Sequence, residues 1–310
     1  VQTDWRVILR EAIVHGLFFL PRAQSVALER RLRGREDFRR LSGADCVVVS
    51  FPNSGRTWLR VLLARFYRAR DGLDGVVLAE LDRGVGRGTG AGRQVPRFFF
   101  THDNYLRDCT GDGARKSAYA GKRVVLMVRD PADVAVSQYF QWKHRMRRRK
   151  MLINQYPLEP DLPLFEYVMH DDGGLPRIVR FMNEWAQALP GLPSVLLVRY
   201  EDLRKDTARV LSEMLAFVGT PGKAAAVEDA IAFASLSTMR NLEDKGEALM
   251  RSGRLMVKND PNRYKARRAK VGGYRSDFTA QQIHEIDRLI DDTLSPVFGY
   301  RRSVPEAAEV

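Results

Sequence analysis

The stretch SFPNSGRTWL, residues 50–59, decides how the rest of the chain is read. An apolar run, Cys46–Ser50, leads into it, and apolar residues recur at helical spacing over 57–68 behind it. Where a strand turns into a helix through small residues, the first helical N–H groups have no internal partner and carry partial positive charge. Such a turn can surround a phosphate or sulfate. Ser54 and Gly55 permit close approach, Thr57 offers a hydroxyl, and Arg56 adds a fixed charge. An ordinary strand-helix turn has the same outline, so the surrounding pattern must support the ligand reading.

Outward from this loop, Phe98–Thr101 and residues 124–128 and 195–200 read as further buried strands, being short and rich in Val, Leu and Phe. Helical patterns at 57–68, 132–145, 177–188 and 207–218 lie between and after them. The alternation predicts an α/β fold of three layers, a central parallel sheet covered by helices on both faces, with ligands at the carboxyl ends of the strands. One domain is expected over 42–303, preceded by a helical extension at 1–41 and followed by a tail at 304–310. Residues 84–96 hold five glycines and 151–163 three prolines, so both read as mobile lids or acceptor-binding loops.

A chain of 310 residues, 45% hydrophobic and 29% charged, can bury a sizeable core and need not be disordered. With 51 Lys and Arg against 38 Asp and Glu, the net charge of +13 favours anionic partners: nucleotides, nucleic acid, acidic glycans or a membrane surface. Cys46 and Cys109 belong to no CxxC or Cys/His cluster, which argues against a disulfide framework and structural zinc and for a reducing compartment. The most apolar window, 13–20, is interrupted by His15, is too short to span a bilayer and lacks a signal-cleavage site; a cytoplasmic location is expected. Trp5, Ile8, Leu9, Ala12, Ile13, Leu17 and Leu20 share one helical face, and an Arg-rich segment follows over 22–41. Two readings stay open: a helix packed on the core before a solvated basic helix, or an interfacial helix peripheral to an anionic membrane.

Four other places carry chemistry. His102 follows the second strand, and is either a structural or surface histidine or, at a strand's carboxyl end, a residue of the site. Its neighbour Asp103 either tunes it or stands as an exposed loop carboxylate. Arg129 ends the third strand, and Ser137 follows two helical turns later, so both can converge on one phosphate. Asp130 and Pro131 also read as a helix cap and first turn. The basic run 143–150 is either a solvated face or an attractor of acidic glycan or lipid head groups. Against the P-loop pattern GxxxxGK[ST], Gly55 and Thr57 match while Ser50 and Arg56 replace the first Gly and the Lys.

FPNSGRTW (51–58) resembles the YPKSGTTW loop of sulfotransferases that use 3'-phosphoadenosine 5'-phosphosulfate (PAPS). That resemblance implies a P-loop-like fold, with Ser54, Gly55, Arg56 and Thr57 at the 5'-phosphosulfate and Trp58 stacked on adenine. Asn53 stands where the family has a lysine that neutralises the bridging oxygen, and Arg56 stands in place of a Thr and is expected to supply the cation. VRDPADVAVSQYF (128–140) is similar to RNPxDxxVSxYxF, which implies Arg129 and Ser137 as 3'-phosphate ligands. LLVRYEDLRKD (196–206) is similar to the family's fourth strand and implies Tyr200 near adenine. RRAKVGGYRSDFT (267–279) resembles RKGxxGxWKxxFT, which implies that Arg267 and Arg268 close over the 3'-phosphate, although Ala269 replaces a Gly.

The family's KTHxP motif aligns with Thr101 and His102, which implies His102 as general base; its lysine is Phe100 here. The implied reaction is in-line transfer of a sulfuryl group to a hydroxyl or amine, leaving adenosine 3',5'-bisphosphate (PAP), with no metal required. The acceptor, whether glycan, lipid or small molecule, is not identified, and nucleic acid is not favoured. Two rival functions are kept. A P-loop nucleotide kinase would need a loop lysine and a Mg-binding carboxylate. An inactive PAPS- or PAP-binding protein would draw on the loss of both lysines.

Overall fold

The computed structural model describes residues 20–76, 78–83, 95–111, 116–159, 161–244 and 270–302. Its elements run α1 (Arg22–Ser42), β1 (Cys46–Ser50), α2 (Arg56–Arg70), α3 (Ala79–Arg83), β2 (Phe98–Thr101), α4 (Leu106–Thr110), β3 (Arg123–Val128) and α5 (Pro131–Arg145). There follow α6 (Arg148–Ile153), α7 (Leu164–Met169), α8 (Leu175–Ala188), β4 (Val195–Arg199), α9 (Tyr200–Lys205), α10 (Thr207–Phe217), α11 (Ala224–Phe233), α12 (Leu236–Asp244) and α13 (Ala280–Thr293). The four strands form one parallel sheet in the order β2-β1-β3-β4. In register, Val48 of β1 lies between Phe100 and Val125, and Met127 of β3 lies beside Val198.

Side chains alternate across a strand, so each strand feeds two cores. Val47, Val49, Val124, Leu126 and Val128 pack with α5, α8 and α13 through Val134, Ile178, Met182, Trp185 and Ile290. Cys46, Val48, Val125, Met127 and Val198 pack with α2, α10 and α11 through Leu59, Leu62, Phe66, Leu211 and Val227. Burial of both faces explains why the strands read as continuous apolar runs. The three-layer α/β fold with a parallel sheet is therefore the one expected.

Some elements differ from expectation. Tyr200 does not end β4 but opens α9, because Glu201 reaches across to accept the Asp130 N–H at 2.9 Å and the Tyr300 hydroxyl at 2.6 Å. The expected loop at 151–163 begins inside α6; its three prolines all come after that helix. The Arg-rich segment is one helix whose Arg30, Gly34 and Leu41 are buried, so only part of it is solvated. Gly34 sits where a Cβ would strike the Tyr105 carbonyl, which is what lets α1 lie against α4. The amphipathic pattern at 1–19, the glycine-rich 84–94 and the tail at 304–310 lie outside the described residues. Among the described residues no helix is long and apolar enough to cross a membrane.

Candidate active site

The loop leaving β1 closes over its own helix. Asn53 and Gly55 both take positive φ, 68° and 93°, and Gly55 caps α2. A Cβ on Gly55 would stand 2.5 Å from Cδ2 of Tyr200, so the position needs glycine for both its dihedral and its space. Gly55→Ala is expected to destabilise the fold by about 1–3 kcal/mol and weaken PAP binding, read by chemical denaturation and calorimetry. An alanine variant with unchanged stability would show that the loop can relax.

His102 is held from behind. Its Nδ1 lies 2.8 Å from the Ser50 carbonyl, which can only accept, so Nδ1 carries the proton and Nε2 presents its lone pair. Arg56 Nη2 donates to that Nε2 at 2.7 Å. Burial, and then the charge of Arg60, pulls the Arg56 guanidinium down to about 9, still cationic at neutral pH. Arg60 itself turns away, pairing with Asp82 at 2.9 Å and covering the Phe100 ring at 4.6 Å.

Asp103 is not an exposed loop carboxylate. It takes a φ of 54° and is buried with Lys116, which donates to it at 2.7 Å, and with Tyr119, whose hydroxyl donates at 2.9 Å. Burial raises its carboxyl above the usual range even though Lys116 pulls the other way. This cluster fixes the backbone next to His102, and the sequence offered no sign of it because Lys116 and Tyr119 lie beyond the intervening α4.

Asn53 does not point its amide at a ligand: Nδ2 donates to Gln138 Oε1 at 2.7 Å, while its carbonyl accepts from Arg129 Nη1 at 3.3 Å. Arg129 also lies 4.7 Å over the Tyr200 ring and makes long contacts, 3.4 Å each, to Asp133 and to the Lys270 carbonyl. Asp133 in turn accepts from the Gly272 and Tyr274 amides at 2.9 and 3.0 Å, which brings the C-terminal segment onto α5. Burial raises the Asp133 carboxyl, against the pull of Arg129. Arg129, Asp133 and Ser137 follow one another at four-residue steps, so the half-buried Ser137 continues the same helical row. Trp58 meets Tyr200 edge to face at 6.1 Å and donates to the Ala234 carbonyl at 2.9 Å. Ser54 is buried and Thr57 half-buried in the loop and first turn. Arg267 and Arg268 lie outside the described residues.

Ser50 Oγ, Arg56 Nη1 and Arg129 Nε are buried without a hydrogen-bond partner. Three donor-capable atoms left unpaired around one loop fit a polyanionic ligand. Gln138 was not anticipated, since nothing in a helical stretch signals a bond to Asn53, 85 residues earlier. Among the described residues, no group of three or more His, Cys, Asp or Glu is placed to hold a metal ion.

Comparison with known proteins bears on the family and the fold. The family model for the sulfotransferase domain matches residues 112–298, more than half of the chain. Flavonol 3-sulfotransferase of Flaveria bidentis is 26% identical over 286 residues, 86% of this chain and 86% of the relative. Human sulfotransferase 2A1 is 21% identical over 265 residues, 81% and 84% of the two chains. Among solved structures, mouse sulfotransferase SULT7A1 complexed with PAP has a TM-score of 0.55 at 20% identity, covering 85% of this chain and 92% of that one. Retinol dehydratase in complex with retinol and PAP has a TM-score of 0.53 at 18% identity, over 81% of each chain. With a family match over more than half of the chain, on a parallel α/β sheet, the chain belongs to the sulfotransferase domain family.

Proposed function

We propose that this sulfotransferase takes its sulfuryl group from PAPS and passes it to a hydroxyl or amine, with His102 as general base and Arg56 as the cation at the transferred group. The observation that carries this is the pair of hydrogen bonds on His102. One ties the protonated Nδ1 to Ser50, the residue that opens the phosphate loop, and the other leaves a lone pair on Nε2 beside Arg56. Base and loop are thereby held in one frame, which orientation-dependent chemistry requires. His102 Nε2 receives the acceptor proton as the new bond to sulfur forms and the bond from sulfur to the bridging oxygen breaks, releasing PAP.

Arg56 donates to Nε2, and a sulfonate competes for that donation with a full charge. The shift frees Nε2 and places a guanidinium where negative charge accumulates. The two customary lysines are replaced by Asn53 and Phe100, so Arg56 carries this duty in the loop. Arg129 and Ser137 would hold the 3'-phosphate, and Tyr200 and Trp58 would flank the adenine; Asp133 is a positioning residue for both Arg129 and the segment 270–274. PAP-bound structural neighbours support the donor assignment. The cytosolic sulfotransferase 1 of Arabidopsis thaliana, 24% identical, supports a cytoplasmic setting. Membrane attachment of the 1–41 segment has no comparable support, since α1 spends its buried face on α4 and α6.

The test is thermal stabilisation by PAP together with transfer of labelled sulfate from PAPS. Arg129→Ala is expected to weaken PAP by about 1.5–3 kcal/mol, and to cost much less with adenosine 5'-monophosphate, which lacks the 3'-phosphate. Equal losses for both nucleotides would place Arg129 elsewhere. No stabilisation by saturating PAP would reject the donor.

A further inference from the structure

The exits of β3 and β4 stand side by side, with Val128 opposite Arg199 in their last register pair. One residue further along each chain segment, the Arg129 guanidinium lies 4.7 Å over the Tyr200 ring. One residue further again, the Asp130 N–H donates to Glu201 Oε1 at 2.9 Å. The first pair is the one assigned above to the nucleotide, and the second ties together the segments that carry it. The C-terminal segment then closes this frame. Arg302 donates to both Asp130 oxygens, at 2.6 and 2.8 Å, and through Nε to Asp287 at 3.1 Å. Tyr300 donates its hydroxyl to Glu201 Oε2 at 2.6 Å. Asp287 also accepts from the Tyr274 hydroxyl at 2.6 Å, and the Tyr274 amide donates to Asp133, so the same cluster reaches the segment beside α5.

Arg129 depends on such a frame because its own side-chain contacts are slack. Its donors reach the Asn53 carbonyl at 3.3 Å and Asp133 and the Lys270 carbonyl at 3.4 Å each, while Nε is buried without a partner. Hydrogen bonds of that length hold a direction weakly. Asp130 is the better anchor. Its carboxylate accepts from the amides of Ala132 and Asp133, at 2.9 and 3.3 Å, while receiving a two-pronged guanidinium, a strong form of charged hydrogen bond. The backbone fixed at 130 therefore sets where the Arg129 side chain departs. All three guanidinium nitrogens of Arg302 already donate to carboxylates, which suits a brace rather than a phosphate ligand.

We propose that Arg302 is a positioning residue for the 3'-phosphate: it holds Asp130, Asp130 sets the approach of Arg129, and the C-terminal segment thereby governs how well the site tells PAP from a nucleotide lacking that phosphate. The inference rests on the PAPS-dependent reading above and deepens it by adding a specificity-determining residue outside the ligand-binding set.

The experiment titrates PAP and adenosine 5'-monophosphate by calorimetry, well below Tm, into the full chain and into Arg302→Gln, Arg129→Ala and the double variant. Arg302→Gln is expected to weaken PAP about tenfold and adenosine 5'-monophosphate less than about twofold. In the Arg129→Ala background the same change should cost PAP almost nothing, because the residue through which Arg302 acts is gone. Arg302→Lys keeps the charge but can meet only one carboxylate oxygen at a time, so it should retain part of the affinity, losing about threefold. That variant carries the test if the glutamine form does not fold, and its loss should likewise vanish without Arg129. Unchanged PAP affinity in a folded Arg302 variant, equal losses for both nucleotides, or the same loss with and without Arg129 would overturn the inference and leave the donor reading standing. Failure of both Arg302 variants to fold would make the residue structural and overturn it too. Failure of PAP to bind the unaltered chain would overturn the donor reading first, and the role of Arg302 with it.

Discussion

His102→Ala is expected to lower kcat by about 100- to 10,000-fold while PAP affinity stays within about twofold of the unaltered chain. The split follows from geometry. His102 meets the loop through Nδ1 on the Ser50 carbonyl and through Nε2 on Arg56, but Ser50 is also held in the β1 ladder beside Met127 and Arg56 in the first turn of α2. Loss of the imidazole therefore removes the proton acceptor without dismantling the loop. Sulfate transfer from labelled PAPS to any phenol that is turned over measures kcat, and calorimetry measures PAP. An alanine variant of full activity would remove His102 from the mechanism; a variant that lost PAP equally would make its role structural.

Arg56→Ala is expected to lower kcat by about 100- to 1,000-fold and to weaken PAP far less, because the charge that Arg56 meets develops on the transferred group and the bridging oxygen, which PAP lacks. Asn53→Lys should partly restore activity in this background by returning a cation to the loop. In the otherwise unaltered chain the same change should bring no gain. Lysine at position 53 would give up the 2.7 Å bond to Gln138 and would have to adopt a φ of 68°, while Arg56 already serves. Full kcat in Arg56→Ala at saturating PAPS would show that another cation serves the bridging oxygen.

The central frame was legible because two signals coincide at residues 46–70: a continuous apolar run switches to helical periodicity through small residues. That switch can only place the loop at a strand's carboxyl end. The contacts that complete the site were not legible, since each joins residues of unremarkable type across long separations. Arg56 meets His102 across 46 residues and Asn53 meets Gln138 across 85. Arg30 sits in a run that reads as solvated, and its burial depends on the close approach that Gly34 allows. Asp103 looked like a loop carboxylate because the lysine that neutralises it stands 13 residues on. Helix α6 was hidden by prolines that crowd the window just after it.

One contact has a bearing on how the enzyme is made. Arg302 grips the Asp130 carboxylate with both guanidinium nitrogens, at 2.6 and 2.8 Å and 172 residues apart in sequence. That same carboxylate caps the first turn of α5, the helix that carries Asp133 and Ser137. During synthesis the N-terminal layers can collapse early, at about 5–20 residues per second of elongation, but this clasp must wait for almost the whole described chain to emerge. Nucleotide added to a nascent chain stalled before Arg302 has emerged should therefore meet α5 without its final brace, and bind less well than once the clasp has formed.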